Sequence, residues 1–171
     1  MLSDKMQDAL NAQINAELFA YYTYLSMAAY FEAENLRGFS AWMFQHATEE
    51  MGHAMKIYGF VNDRRGRVKL AAIGAPKVEW TSPLEAFEDA LKHEQKVTSL
   101  IHNLVNLARA EADHATDSFF KWFVDEQVEE EAIVDEKIQD LKRIGDFGPG
   151  IFILDRELAA QKPSAGVGTE E

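Results

Sequence analysis

The chain has 171 residues, of which 47% are hydrophobic, so it can build one domain with a sizeable core and is not a natively disordered chain. It contains no cysteine, which excludes disulfides, cysteine-based zinc sites and thiol catalysis. Asp and Glu number 29 against 17 Lys and Arg, and the resulting net charge of −12 repels nucleic acid and attracts cations, although solubility alone also explains it.

The N-terminal segment carries no sign of export. Residues 1–6 have neither a basic stretch nor an apolar run of the kind found in signal peptides. No stretch of the chain approaches the roughly 18 uncharged apolar residues that a membrane span needs. Together with the lack of cysteine, these features predict a cytoplasmic protein that contacts neither a membrane nor nucleic acid.

Four long helices are predicted, because apolar residues recur at steps of three and four residues. None of the four stretches contains a proline, except at the first position of the third helix. Their ranges are 4–34, 38–65, 83–111 and 114–143. Ser82-Pro83-Leu84-Glu85 is typical of a capping box with proline at the first helical position, so it marks the start of the third helix. Gly66 and Gly145 stand where helix C-caps are expected.

The connections between these helices predict their topology. The first and third connections are only a few residues long, which forces two antiparallel hairpins. The link at 66–82 is long and contains Gly74 and Pro76, so it can run the length of a bundle. An all-α four-helix bundle with one long crossover between its second and third helices is therefore predicted.

The C-terminal part of the chain predicts one further short helix. Residues 146–150 contain two glycines and a proline and interrupt the fourth helix, and an apolar-rich helix follows at about 151–161. Residues 162–171 are rich in Gly, Ser and Glu and predict a flexible tail. The sequence thus divides into a single domain at 1–161 and a tail at 162–171.

Each long helix carries a polar side chain in the middle of its otherwise apolar seam. These residues are Glu17, Glu50, Glu94 and Gln127. Each lies about 11–13 residues into its helix, or roughly 16–20 Å at 1.5 Å per residue, which is near the midpoint. Because antiparallel neighbours meet at the same level only there, the four side chains are expected to converge in the core.

Buried carboxylates at one level require compensation. Burying several ionised carboxylates is very unfavourable, so either they are protonated or a cation lies among them. Glu50 and His53 are three residues apart and therefore share a helix face. Carboxylates with one imidazole favour a hard or borderline metal such as iron or manganese. A single Glu on a seam would be explained by a wrongly assigned helix face. The convergence of four polar side chains at one level instead favours a metal site.

With these motifs the chain resembles the non-haem ferritins of bacteria and archaea, from residue 1 to about 160. The resemblance is strongest at Asn15-Ala16-Glu17-Leu18, at Glu49-Glu50-Met51-Gly52-His53 and over 122–131. It implies a ferritin-like bundle with a di-iron centre in its core, and a short fifth helix.

The resemblance also implies the iron ligands. The first iron would be bound by Glu17, Glu50 and His53, with Glu50 bridging. The second iron would be bound by Glu50, Glu94 and Glu130, with Gln127 close to it. A third iron site would comprise Glu49, Glu126, Glu129 and Glu130. A solvated acidic face is the alternative explanation for Glu129 and the neighbouring Glu131.

Aromatic and histidine residues near these positions are less specific. The resemblance places Tyr24 beside the di-iron site, where it could donate an electron or a hydrogen bond, and gives Trp122 a similar role. Either residue is also explained as an ordinary core aromatic. His46 lies two turns from His53 on the same seam and is interpreted as a polar core residue, not as a ligand.

The sequence differs from that of bacterioferritins at two positions that concern the metal site and haem binding. Bacterioferritin-type sites have a second Glu-x-x-His on the fourth helix, where this chain has Gln127-Val128-Glu129-Glu130. The second iron would therefore lack an imidazole and be released more easily. Gly52 stands where a haem-binding methionine is expected, so no haem is expected.

The resemblance implies an iron-storage subunit with ferroxidase activity. It would oxidise Fe(II) with O2 or H2O2 and store ferric oxyhydroxide in a hollow shell of twenty-four subunits. Residues 151–154 would then line a symmetry-axis contact, unless the fifth helix only caps its own bundle. The alternatives are a rubrerythrin-like di-iron peroxidase, which usually carries a Cys-x-x-Cys pair, and a non-catalytic helical bundle with protonated acids.

Overall fold

The computed structural model describes residues 2–145 and 147–161, and within these ranges it contains five helices and no strand. The helices are α1 (Asp4–Ala33), α2 (Arg37–Asp63), α3 (Pro83–Ala110), α4 (His114–Ile144) and α5 (Gly148–Ala160). The all-α prediction and the four long helices are confirmed to within a few residues. The predicted tail at 162–171 lies outside the described residues.

Side-chain caps define the starts of three helices. Ser3 accepts a hydrogen bond from the Met6 N–H at 3.0 Å, and Ser82 accepts one from the Glu85 N–H at 3.1 Å. The first of the two hydrogen bonds of the predicted capping box, from the Glu85 N–H to the Ser82 side chain, is therefore confirmed. Its return bond differs, because the Glu85 carboxylate accepts from the Thr81 N–H at 2.7 Å. At α4 the Asp113 side chain caps the N–H of Thr116.

The helix C-termini differ partly from the prediction. Residues with left-handed backbone follow α1, α2 and α3, at Asn35, Arg65 and Ala112, with φ of 59°, 57° and 54°. Gly66 therefore does not take the left-handed position, which Arg65 occupies. Gly66 instead lies in close packing, where a Cβ would be 2.8 Å from Leu2 Cδ1 and 3.1 Å from the Val61 carbonyl oxygen. Gly145 follows α4 with φ of 55°, as predicted.

The fifth helix begins at Gly148, three residues before the predicted start. Pro149 lies in this first turn and not in a break, because the first turn of a helix needs no intrahelical N–H bond and tolerates proline. Asp155 of α5 accepts hydrogen bonds from the N–H groups of Gly38 and Phe39 at 2.7 and 3.1 Å. It thereby caps α2, whose own N-cap residue, Leu36, makes no side-chain cap bond.

The crossover runs the length of the bundle, as predicted, and it lies along α1. Asn11 donates to the carbonyl of Arg67 at 3.0 Å, and Ser26 donates to the carbonyl of Lys77 at 2.7 Å. The link therefore advances in the direction of α1, from one end of the bundle to the other. Because α2 runs against α1 and α3 starts where the crossover ends, α2 and α3 run in the same direction.

The core consists of two apolar clusters with a polar layer between them. One cluster includes Tyr24, Phe31, Phe39, Trp42 and Phe87, and the other includes Met6, Leu10, Ile57, Ile101 and Phe120. Along every long helix, the chain passes from one cluster to the other through the buried acids or amide predicted from the seams. In the described part of the chain, no helix is long and apolar enough to cross a membrane.

Candidate metal centre

The polar layer is almost fully shielded from water. Glu17 and Glu50 are 1% exposed and Glu94 is 0% exposed. The predicted ligands His53 and Glu130 and the amide Gln127 are also buried. The four helices thus bring the seam residues to one level, and solvent cannot compensate their charges.

The first group in this layer comprises Glu17, Glu50 and His53. Each offers a ligand atom, and these atoms lie within 4.8 Å of one another. His53 Nδ1 is 3.4 Å from Glu50 Oε2. Glu17 Oε2 and Glu50 Oε2 are buried and have no hydrogen-bond partner among the described residues. Free, converging oxygen atoms beside an imidazole are suited to a divalent cation.

Gln13 orients the first of these carboxylates. Its side-chain amide donates to Glu17 Oε1 at 2.8 Å, and Gln13 itself is buried. No sequence motif points to this residue. The available signal was its position four residues before Glu17, which places both side chains on one face of α1.

Glu94 is held from two sides. The Tyr24 hydroxyl donates to Glu94 Oε1 at 2.6 Å. The Gln127 amide donates to Glu94 Oε2 and to Thr98 Oγ1, both at 3.2 Å. The structure therefore places Tyr24 and Gln127 in the same hydrogen-bonded unit as Glu94, and Thr98 joins it as a residue that sequence analysis had left unassigned.

A second three-residue group contains His46, Glu49 and Glu130, whose ligand atoms also lie within 4.8 Å of one another. His46 Nδ1 is 3.2 Å from Glu130 Oε2 and 3.4 Å from Glu49 Oε2. The imidazole packs on Trp42 with a centroid distance of 3.8 Å. His46 was interpreted as a polar core residue and is indeed buried, but its ring nitrogen faces two of the predicted iron ligands.

The remaining predicted residues lie at the edge of the layer. Glu126 is half-buried, and its Oε1 lies 4.0 Å from His53 Nε2. Glu129 is exposed and belongs to neither three-residue group. Trp122 contacts the site through His53, since the two rings meet edge to face with centroids 5.4 Å apart.

Burial sets the charge state of the layer. It raises the pKa of Glu17 and of Glu50 well above the usual value, and the neighbouring carboxylates add to this effect. Burial, followed by the charge of Glu130, raises the pKa of Glu94 to about 7. Burial also tends to raise the pKa of Glu130. The hydrogen bond and charge of the adjacent His46 have the larger opposite effect, so the pKa of Glu130 is lowered. Without a cation, burial therefore favours the protonated forms of Glu17 and Glu50.

Comparison with known proteins agrees with this arrangement. A ferritin-like domain model matches residues 7–144. The chain is 44% identical over 161 residues to bacterial non-heme ferritin of Staphylococcus aureus (strain USA300), covering 94% of this chain and 97% of that protein. It is 45% identical over 161 residues to bacterial non-heme ferritin of Staphylococcus saprophyticus, covering 94% and 96%.

Solved structures give the same result. A form of the Archaeoglobus fulgidus ferritin that was engineered to be closed has a TM-score of 0.94 at 48% identity and covers 96% of this chain and 100% of that chain. The open pore ferritin from the same archaeon has a TM-score of 0.93 at 49% identity and covers 95% and 100%. With a family match over most of its length and relatives at this identity, the chain belongs to the ferritin family.

Proposed function

We propose that the chain is an iron-storage subunit that oxidises Fe(II) to Fe(III) with O2 or H2O2 and stores the product as ferric oxyhydroxide. The observation that carries this proposal is the pair of carboxylate and imidazole groups, which occupy one buried layer of the bundle. Relatives named as non-heme ferritins support the storage role.

Iron is the substrate of this layer. The first proposed iron position coincides with the first group, whereas the second proposed position shares only Glu130 with the second group. Glu17, Glu50 and His53 hold the first iron, with Glu50 bridging to the second. Glu94 and Glu130 complete the second position, with Gln127 beside it. A third iron position is assigned to Glu49, Glu126, Glu129 and Glu130. These oxygen and imidazole donors fit a hard or borderline cation.

The residues of the polar layer supply negative charge, hold the ligands in place and, with the apolar clusters, exclude water from the reaction. Binding of Fe(II) favours the ionised forms of Glu17 and Glu50, because the cation replaces the proton as the compensating charge. The resulting carboxylates stabilise Fe(III) more than Fe(II), which lowers the barrier to electron loss. Tyr24 and Gln127 hold Glu94 in place, and Gln13 holds Glu17. The apolar clusters on both sides keep bulk water out.

The oxidised iron then leaves the site and is stored as a mineral. The second position lacks a Glu-x-x-His motif on α4, so we propose that it holds iron more weakly and passes the oxidised product on. Hydrolysis of Fe(III) then releases protons and forms the mineral. We propose a hollow shell of twenty-four subunits in the cytoplasm, without haem.

Iron loading tests the proposal. Metal-free protein is given Fe(II) without oxygen, then exposed to O2 or H2O2, and iron is measured in size-separated fractions. Rapid oxidation of about two or three irons per chain, followed by a large further load in a high-mass fraction, supports storage. Oxidation without retention would favour a rubrerythrin-like peroxidase. Absence of stoichiometric binding would favour a non-catalytic helical bundle.

A further inference from the structure

A lysine lies over the face of the aromatic ring beside the first group. Lys56 Nζ is 3.4 Å from the centroid of the Trp122 ring and 6.0 Å from that of Phe123. Trp122 in turn meets the His53 imidazole edge to face, with an interplanar angle of 74°. The indole therefore contacts both an ammonium group and a proposed iron ligand.

The two helices that carry these residues explain the contact. Lys56 follows His53 by three residues on α2, so both project from one face of that helix. Trp122 comes from α4 and also packs edge to face on Phe123 at 4.9 Å. The negative face of the indole attracts the ammonium. The lysine stem and the two neighbouring rings thus restrict the orientation of Trp122.

We propose that Lys56 is a positioning residue, which holds the Trp122 ring against His53 and makes this ring harder to oxidise. The inference rests on the proposed iron oxidation. If Trp122 supplied one electron to O2 or H2O2 in place of an Fe(II), the indole would become a radical cation. That new positive charge would form beside the existing ammonium, and Coulomb repulsion disfavours it. Electrons for the oxidant are consequently drawn from iron.

Four variants test the role of the cation. Lys56→Met removes the charge and keeps most of the stem, whereas Lys56→Arg keeps the charge. Lys121→Met removes the same charge from the residue before Trp122 in the chain and controls for net charge. Trp122→Phe removes the indole and serves to assign its signals.

The first readout needs no iron. The fluorescence lifetime of Trp122 is obtained from the difference between each protein and its Trp122→Phe counterpart. Lys56→Met is expected to change this lifetime, while Lys121→Met leaves it as in the wild type. An unchanged lifetime in Lys56→Met would overturn the positioning role, whether or not the protein oxidises iron.

The second readout is the yield of indole radical per Fe(II) oxidised, measured by freeze-quench electron paramagnetic resonance. Lys56→Met is expected to raise this ratio at least about tenfold, with Lys56→Arg close to the wild type. The ratio stays low in Lys121→Met, and the added signal disappears in Lys56→Met/Trp122→Phe. An unchanged ratio in Lys56→Met, or a signal that survives without Trp122, would overturn the inference. Failure of the wild type to oxidise Fe(II) would instead overturn the proposed function.

Discussion

At the scale of single residues, Glu50 belongs to the first group and also interacts by charge with acids outside it. It is buried, its Oε2 lies 3.4 Å from His53 Nδ1, and the same atom lacks a hydrogen-bond partner among the described residues. Its raised pKa also responds to the charges of Glu94 and Glu130. Glu50 therefore connects the first group electrostatically to the residues proposed for the second iron.

Replacing Glu50 by Ala should slow the rapid phase of Fe(II) oxidation by about a hundredfold or more, because the change removes the carboxylate that the two proposed irons share. Stopped-flow kinetics and the number of Fe(II) bound per chain would measure the effect. Glu32→Ala is the matched control, since Glu32 is an exposed acid on α1. Wild-type kinetics in Glu50→Ala would refute the ligand assignment.

At the scale of secondary-structure elements, the end of α3 carries a residue in an unfavourable conformation. Ala112 is exposed and has φ of 54°, in the left-handed region that disfavours a side chain. Its N–H donates to the carbonyl of Arg109 at 3.1 Å, so this conformation belongs to the turn that joins α3 to α4. Glycine adopts the same conformation without the Cβ clash.

Ala112→Gly should therefore raise the free energy of unfolding by about 0.5–1 kcal/mol, the gain being limited by the greater flexibility of glycine in the unfolded chain. Urea denaturation of the metal-free protein would measure it. The contrasting control is Ala110→Gly, at the last residue of α3, which should lower the same quantity by less than about 1 kcal/mol. Equal losses in both variants would contradict the conformational argument.

The contact between α5 and α2 is the second feature at this scale. Gly38 lies so close to α5 that an added Cβ would overlap the Asp155 carbonyl oxygen. The Asp155 carboxylate meets two unpaired N–H groups at the start of α2, where the helix dipole also favours a negative charge. This side chain consequently joins α5 to the start of α2, beside the apolar packing of Leu154 and Leu158.

Asp155→Ala should reduce the free energy of unfolding by about 1–2 kcal/mol, as expected for loss of an N-terminal cap. Asp155→Asn keeps an acceptor oxygen and should lose less. Amide hydrogen exchange at Gly38 and Phe39 would report the cap directly, with faster exchange in Asp155→Ala than in Asp155→Asn. Unchanged exchange in both variants would mean that Asp155 does not cap α2.

At the scale of the whole molecule, the polar layer opposes the stability provided by the apolar clusters. Carboxyl groups whose pKa is raised in the folded state bind protons more tightly when folded than when unfolded. Their contribution is fully present below the unfolded value of 4.5 and is lost as pH rises towards the folded value, which is about 7 for Glu94. The metal-free protein should therefore lose stability from this layer between about pH 5 and pH 7.

Thermal unfolding across this pH range, with and without Zn(II) as a redox-inert cation, would test the effect. Zn(II) should raise the melting temperature more at pH 7 than at pH 5, because it replaces protons on the carboxylates. Glu94→Gln should show a weaker pH dependence without metal, since it removes one titrating group. A wild-type curve in that variant would show that Glu94 does not titrate as described.

The helices, the connections and the level of the polar layer could be predicted from the sequence for a simple reason. Seam periodicity and connection length are local properties of the chain, and the midpoint position of Glu17, Glu50 and Glu94 needs only the rise of a helix. Ser82 and Gly145 likewise act on their own helix ends. These features follow from residues a few positions apart, so the chain itself specifies them.

Only the tertiary structure decided which atoms meet across helices. Asp155 caps α2 from more than a hundred residues away, and its acceptor role depends on how α5 packs. The side chain of Lys56 reaches Trp122, and His46 faces Glu130, through rotamers that sequence spacing does not specify. The sequence by itself therefore determined a four-helix bundle with acids at one depth. Packing determined the partner of each acid, because hydrogen bonds and ring contacts require positions accurate to less than an ångström or so.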